Sequence, residues 1–520
     1  MPPNGFDVCL THSPNRNSFD VEANKKVVKE YSLEDALNLI GFGKVQVEVS
    51  LFSGVLLMLV INETMGMSIL TIASQCDFNT NSQEKAIMGA ACFVGILIAS
   101  YGWGYSSDSS GRRSVLFRAT VSAVTFSFMS IFVSNFWLFV LLRFLTGIGI
   151  AGASATTYAY LGEFNTMKYR AVVINYASIF VGLSLVYSPV IAWLILPQTW
   201  SFSFFGIFDF RPWRLLILFN LLPGLIGSIW IWTLPETPKL YLSHGKDADA
   251  LKVLYWIYER NTGKPSKDFE VKRLIPEADA AFIQTIQTKK TVWEIISSMW
   301  KQTVPLFKPP HALNYCVCCF VMFGLFFSSS GMGLWYPEIQ NRLGFGTVNS
   351  QKTICGVIND KPNVTIDDTM EPVCNDEIST KTYIDSITLG GSYVVAYLLL
   401  GMIINPLGRK AVLAGALGIS GACGLSLQWV DEPTAIVILF CGYLMLSGLC
   451  VSVLSGSVVD LIPTHLRGKA VCICLMIGRL GSVVGNNIIG AALETYCEVT
   501  FYIFSGLIIL CSLLTLVLPI

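Results

Sequence analysis

A block of glycine and charged residues occurs twice in this chain at one constant offset, so the fold must be built from two copies of one unit. Gly111-Arg112-Arg113, Glu163 and Arg170 return as Gly408-Arg409-Lys410, Asp460 and Arg467, each 297 positions later (408 less 111). Each block lies at the end of an apolar segment, which makes the repeat one of membrane helices joined by charged loops. Composition agrees. Charged residues make up 13% and mean hydropathy is +0.58, whereas a soluble domain carries about 25% charge.

Spans of about 20 apolar residues fall at 49–73, 86–105, 115–134, 136–160, 171–197, 214–234, 312–336, 384–404, 411–430, 434–459, 470–493 and 499–519. They are numbered helices 1 to 12 below. Six, a long polar interval and six more predict an all-α membrane protein of two pseudo-symmetric six-helix bundles, at 46–238 and 312–520. Residues 1–45 form a polar leading segment, 239–311 a central loop with short helices, and 337–383 the loop after helix 7. Lys and Arg mark the side facing the cytoplasm. Arg112, Arg113, Lys168, Arg170, Arg409, Lys410, Arg467 and Lys469 all follow even-numbered helices, and the loops after helices 3, 9 and 11 have none. Both termini and the central loop are therefore expected in the cytoplasm, of a vesicle or plasma membrane protein. Arg211, after helix 5, is the exception.

Most of the 15 cysteines lie within spans and read as small buried hydrophobes. No histidine falls deep in a span, so no metal site is expected, nor any other cofactor. Cys355 and Cys374 share loop 337–383 on the oxidising side and are the expected disulfide, with Cys76 and Cys497 as competing partners. Asn363-Val364-Thr365 in the same loop is a glycosylation sequon; the second sequon, at Asn62, is expected to be buried and silent.

Charges deep in a membrane are costly and mark function. Glu63 is the only charge in helix 1 and Arg143 the only one in helix 4. Arg479 lies ten residues from Lys469, or roughly 15 Å along helix 11, near the middle of the bilayer. Trp193, towards the non-cytoplasmic end of helix 5, reads by default as an interfacial belt residue and is also a candidate cavity aromatic. There is no Walker-type phosphate loop and no sign of covalent catalysis, so an enzyme is not expected.

Gly104-Tyr-Ser-Ser-Asp108-Ser-Ser-Gly111-Arg112-Arg113 resembles the loop between helices 2 and 3 of the major facilitator superfamily. Arg143-Phe-Leu-Thr-Gly147-Ile-Gly149 resembles its helix 4 signature, and Pro235-Glu236-Thr237-Pro238-Lys239 its motif after helix 6. Tyr31 to Gly43, Trp200-Ser-Phe-Ser and Phe210-Arg-Pro-Trp213-Arg214 resemble, more narrowly, the synaptic vesicle glycoprotein 2 family. Three features depart from that family. The loop after helix 7 is short, Val60 replaces the first of two acids in helix 1, and the chain stops at Pro519-Ile520 where relatives continue.

The resemblance implies that helices 1, 4, 7 and 11 approach a central cavity, with Glu63, Arg143, Arg479 and Trp193 as candidate substrate or coupling residues. It implies cytoplasmic gating by Gly104, Asp108, Gly111, Arg112, Glu163, Arg170, Glu236, Arg409, Asp460 and Arg467. The second copy has Asn405 in place of Asp108, so its latch is expected to be the weaker. Glu63 is expected to partner Arg479 when the cavity is empty. The function expected is secondary transport of a small organic ion carrying an anionic group, by alternating access, with protons as candidate coupling ion. The protein is expected to be a monomer in the lipid bilayer, without nucleic-acid partners. The alternatives are a non-transporting vesicle protein that works by binding, and a proton-coupled sugar transporter. The latter is weakened by helix 7, which offers Asn314 and Ser328 to Ser330 instead of a row of amides.

Overall fold

A computed structural model describes residues 29–204, 208–275, 303–345, 353–359, 374, 376–462 and 466–519. Among the described residues twelve long helices run in the order the hydropathy requires. Helix 1 is Lys44–Met65 continued by Met67–Ala73, helix 2 Ser82–Ser110, helix 3 Arg112–Ser130, helix 4 Phe136–Glu163, helix 5 Met167–Ile195 and helix 6 Pro212–Trp230. Helix 7 is Ala312–Phe326, a π turn at Phe327–Met332, and Gly333–Phe345. Helices 8 to 12 are Thr380–Leu407, Arg409–Ser426, Pro433–Leu461, Arg467–Ala492 and Cys497–Val517. Ten of the twelve are long and apolar enough to cross a membrane by length and composition; the other two are helices 3 and 9. These are the repeat pair that open on Arg112-Arg113 and Arg409-Lys410, and those charges dilute their hydropathy.

Packing repeats as the sequence does. Helix 1 packs on helix 5 as helix 7 does on helix 11, helix 3 on helix 4 as helix 9 on helix 10, and helix 3 on helix 6 as helix 9 on helix 12. The bundles meet along two main seams, helix 2 against helix 11 and helix 5 against helix 8, and Met67–Ala73 of helix 1 also packs on Gly333–Phe345 of helix 7. In the second seam the backbones nearly touch. A Cβ at Gly182 would lie 2.7 Å from Val394 N, and one at Gly390 would lie 2.5 Å from the Leu185 carbonyl carbon.

Gly111 and Gly408 turn the chain on one face, called here the motif face. Both have positive φ, 103° and 77°, a region that side chains disfavour, which explains why this residue recurs. On the same face lie helix Leu33–Ile40, whose first turn is capped by the Ser32 hydroxyl accepting from Asp35 N at 3.1 Å, and amphipathic helix Asp247–Thr262. They bury Leu37, Ile40, Val253, Leu254 and Ile257 in a common cluster.

On the opposite face, the disulfides differ from the expected Cys355–Cys374 pair. Cys76 bonds Cys374 and Cys355 bonds Cys497, so this face is named the disulfide face. Nearness in sequence gave the wrong pair because the buried Asn341 amide holds the segment before helix 8 against helix 7. It accepts from Ser379 N at 2.9 Å and donates to Glu377 O at 3.1 Å. Asn363 lies outside the described residues. Helix 7 also runs nine residues past its expected end, to Phe345 (345 less 336). Glu338 and Arg342 are thereby helical and not part of a loop, with Pro337 accommodated soon after the π turn.

Candidate transport site and motif face

The motif-face charges are organised by the glycine turns. Arg112, first residue of helix 3, donates to Asp108 one turn back and to Glu163 at the end of helix 4 at 3.3 Å. Arg409 repeats this with Asp460 and adds Gly456 O at 3.0 Å. Arg113 Nε donates to Ile231 O at the end of helix 6 (3.1 Å), as Lys410 does to Leu518 O beyond helix 12 (2.9 Å). Arg170 and Arg467 each donate through Nε to a carbonyl of the preceding helix end, Gly162 O and Ile462 O, both at 3.0 Å. These contacts stay within one bundle. Asp108 also reaches across, lying within electrostatic range of Lys469 on helix 11. Gly104 faces that helix too, its missing Cβ 3.9 Å from Cys472 Sγ.

Glu236 has a different place from the other motif carboxylates. It accepts from Arg113 N at 3.0 and 3.1 Å and caps the start of helix 3, where N–H groups lack helical partners. A Cβ at Gly111 would collide with its Oε2. Burial pushes the Glu236 carboxyl above its usual range, opposed by the N–H groups of Arg113, Thr237 and Ser114.

The deep charges are not arranged as expected. Glu63 pairs with Arg143 at 2.8 Å, not with Arg479, and both side chains are almost completely buried within the first bundle. The Ser127 hydroxyl donates to both Glu63 oxygens at 2.9 Å, and Arg143 adds Ser130. Helices 1, 3 and 4 converge there, so the pair is set by which helices touch. Arg479 stands apart. From helix 11 it crosses to the first bundle and donates to Ser100 at 3.4 Å and Ser154 at 3.1 Å. Among the described residues it makes no ion pair. Trp193 lies at a helix end, the position expected of an interfacial aromatic. Its ring is 40% exposed and stacks on Tyr383 at 6.5 Å, at the disulfide-face ends of helices 5 and 8. Arg211, the exception to the charge bias, is paired with Asp77 at 2.5 Å.

Sequence reasoning missed a network between the bundles. Lys85 of helix 2 bonds Glu338 of helix 7 at 3.1 Å, and Arg342 bonds both Glu338 (3.0 Å) and Glu494 (3.1 Å). Asn486 joins them, donating to Ala86 O and accepting from Trp335 Nε1 at 2.9 Å, while Asn487 bonds its own helix. The signal available was Lys85 and Glu338 beside span ends.

Two pseudo-symmetric six-helix bundles with repeated motif loops and a charged seam define a class of two-bundle helical membrane proteins. A model described as Major Facilitator Superfamily matches residues 51–359, and the chain belongs to that superfamily. It is 26% identical over 333 residues to synaptic vesicle glycoprotein 2B of Homo sapiens, covering 61% of this chain and 48% of that one. With synaptic vesicle glycoprotein 2A of Rattus norvegicus it shares 25% over 323 residues, 60% of this chain and 44% of the other. The chain thus spans about half the length of the curated relatives it matches. In fold it is similar to a partially occluded inward-open form of the xylose transporter XylE from E. coli. The TM-score is 0.63 at 16% identity, over 92% of this chain and 100% of that one.

Proposed function

We propose that this chain is a secondary transporter of a small organic anion, working by alternating access with its motif face and both termini in the cytoplasm. The observation that carries the reading is Arg479. Arg143 is neutralised by Glu63 and Lys85 by Glu338, whereas Arg479 sits at the seam between bundles with only hydroxyl partners described. A desolvated guanidinium without a carboxylate offers a planar, bidentate site for an anion. Arg479 comes from the second bundle and its partners Ser100 and Ser154 from the first, which supports a site whose occupancy both bundles would sense. Glu63 is the candidate proton acceptor, since neutralising it would release Arg143 and alter the packing of helices 1, 3 and 4. Asp108, Arg112, Glu163 and Arg170, with Arg409, Asp460 and Arg467, lock helix ends on the cytoplasmic side.

A non-transporting binding protein is the second reading, supported by the apolar, buried Val60 and the likeness to vesicle glycoproteins. Uptake of monocarboxylates and dicarboxylates into proteoliposomes, with and without a pH gradient, separates the two. Arg479→Ala is expected to abolish uptake and Arg479→Lys to restore only part of it, because a point charge lacks the bidentate fork. Wild-type uptake of the same anion by Arg479→Ala would overturn the assignment.

A further inference from the structure

On the disulfide face the two bundles are bound by a closed circuit of charge. Ser82 and Lys85 come from helix 2, Glu338 and Arg342 from helix 7, and Glu494 from the end of helix 11. Lys85 and Glu338 are only 7% and 9% exposed at the side chain, so this is a desolvated pair across the seam. Ser82 donates to Glu494 at 2.6 Å and closes the ring back to helix 2. We propose that Lys85, Glu338, Arg342 and Glu494 are the gate of the central cavity on this face, and that the Cys76–Cys374 disulfide is a tether that limits how far the gate opens. The proposal rests on the alternating-access reading above.

Two cations and two carboxylates balance, so the ring closes without a stranded charge. A buried ion pair is also close to break-even against hydration. Such a ring can therefore part and rehydrate at modest cost, which a plug of interlocked apolar side chains cannot. Beside it lies a cavity of about 10 Å³, about the space of one water, whose lining mixes apolar Met67, Leu334 and Trp335 with Lys85, Glu338 and Asn486.

The tether is anchored on both sides. Next to Cys76, Asp77 accepts from Trp213 Nε1 at 2.7 Å and pairs with Arg211, which fixes it to the first bundle. On the other side, Asn341 binds Glu377 and Ser379 to helix 7. Three residue steps separate Cys374 from Glu377, a length of chain that spans at most about 10 Å. Cys355–Cys497 holds the same loop to helix 12 and does not cross the seam.

The test uses the full chain in nanodiscs, with fluorophores on non-natural residues at Gln83 and Val499, and reads the distance between them. The wild type is expected to show a single short distance. Lys85→Met/Glu338→Gln, which leaves no unpaired lysine, is expected to add a longer distance, greater by no more than about 10 Å. Adding Cys76→Ser/Cys374→Ser is expected to release a distance beyond that bound. Thermal stability falls for a merely structural network as well, but the distance does not move. Equal opening with and without the disulfide overturns the tether. An unchanged distance in the Lys85/Glu338 variant, when the cysteine variant alone opens fully, overturns the gate. A distance fixed in every variant overturns both, together with alternating access. Loss of transport with these distances behaving as expected overturns only the substrate reading.

Discussion

On the motif face Arg112 grips Asp108 and Glu163 of its own bundle and Arg409 grips Asp460 of its own, while on the disulfide face Lys85 and Glu338 meet across the seam. Similar residue types thus do opposite things. The repeat makes the motif-face contacts local, since a charge copied with its helix finds its partner in the same copy. Lys85 and Glu338 have no such constraint. They sit 253 residues apart and can meet only once the two bundles have docked, so they report the relation between bundles and not the integrity of either.

The largest expected effect comes from removing one partner at the seam. Glu338→Gln leaves the buried Lys85 without a carboxylate, while Arg342 keeps Glu494, and should cost about 3–5 kcal/mol, read as a lowered thermal midpoint in nanodiscs. Asp460→Asn, at a carboxylate 59% exposed, should cost no more than about 1 kcal/mol. Equal losses would erase the contrast between the faces. Next comes Glu236→Ala, which uncaps helix 3 and should cost about 1 kcal/mol, with faster amide exchange confined to the first turn of that helix. A smaller effect is expected at Asp108, which lies within electrostatic range of Lys469 in the other bundle. Asp108→Asn should raise cysteine labelling from the motif face, and Asn405→Asp should change it less. Equal labelling in the wild type and Asp108→Asn would reduce the motif to a topology signal.

The smallest effect concerns pH. The Ser82 hydroxyl, followed by Arg342 and Lys85, holds the Glu494 carboxyl below its usual range against the cost of partial burial. A depressed carboxyl stabilises the fold above its unfolded value and loses that contribution as pH falls through the folded one. Acidification below the ordinary carboxylate range should therefore loosen the disulfide face, and Glu494→Gln should flatten that part of the profile of thermal midpoint against pH.

The twelve helices were legible because they follow from local pattern and from the repeat, which also marked Arg112 and Glu163 without saying that they pair. The partner of Glu63 was not, because it depends on helix 4 and helix 1 converging on Ser127, and no spacing in the chain encodes that. Cys76–Cys374 escaped for the same reason, since 298 residues separate the two. Glu338 was hidden by an error of length. A helix expected to stop before Pro337 placed its carboxylate in a loop, and the whole seam network went with it.

The seam of helices 5 and 8 has a mechanical consequence. Where Gly182 faces Val394 and Gly390 faces Leu185, the two helix backbones approach closely because neither glycine puts a side chain between them. Two such surfaces behave as a plain bearing. Under the alternating-access reading they would hold the two helices at a fixed separation while the bundles turn, and the amplitude of the swing would be left to whatever restrains the two rims.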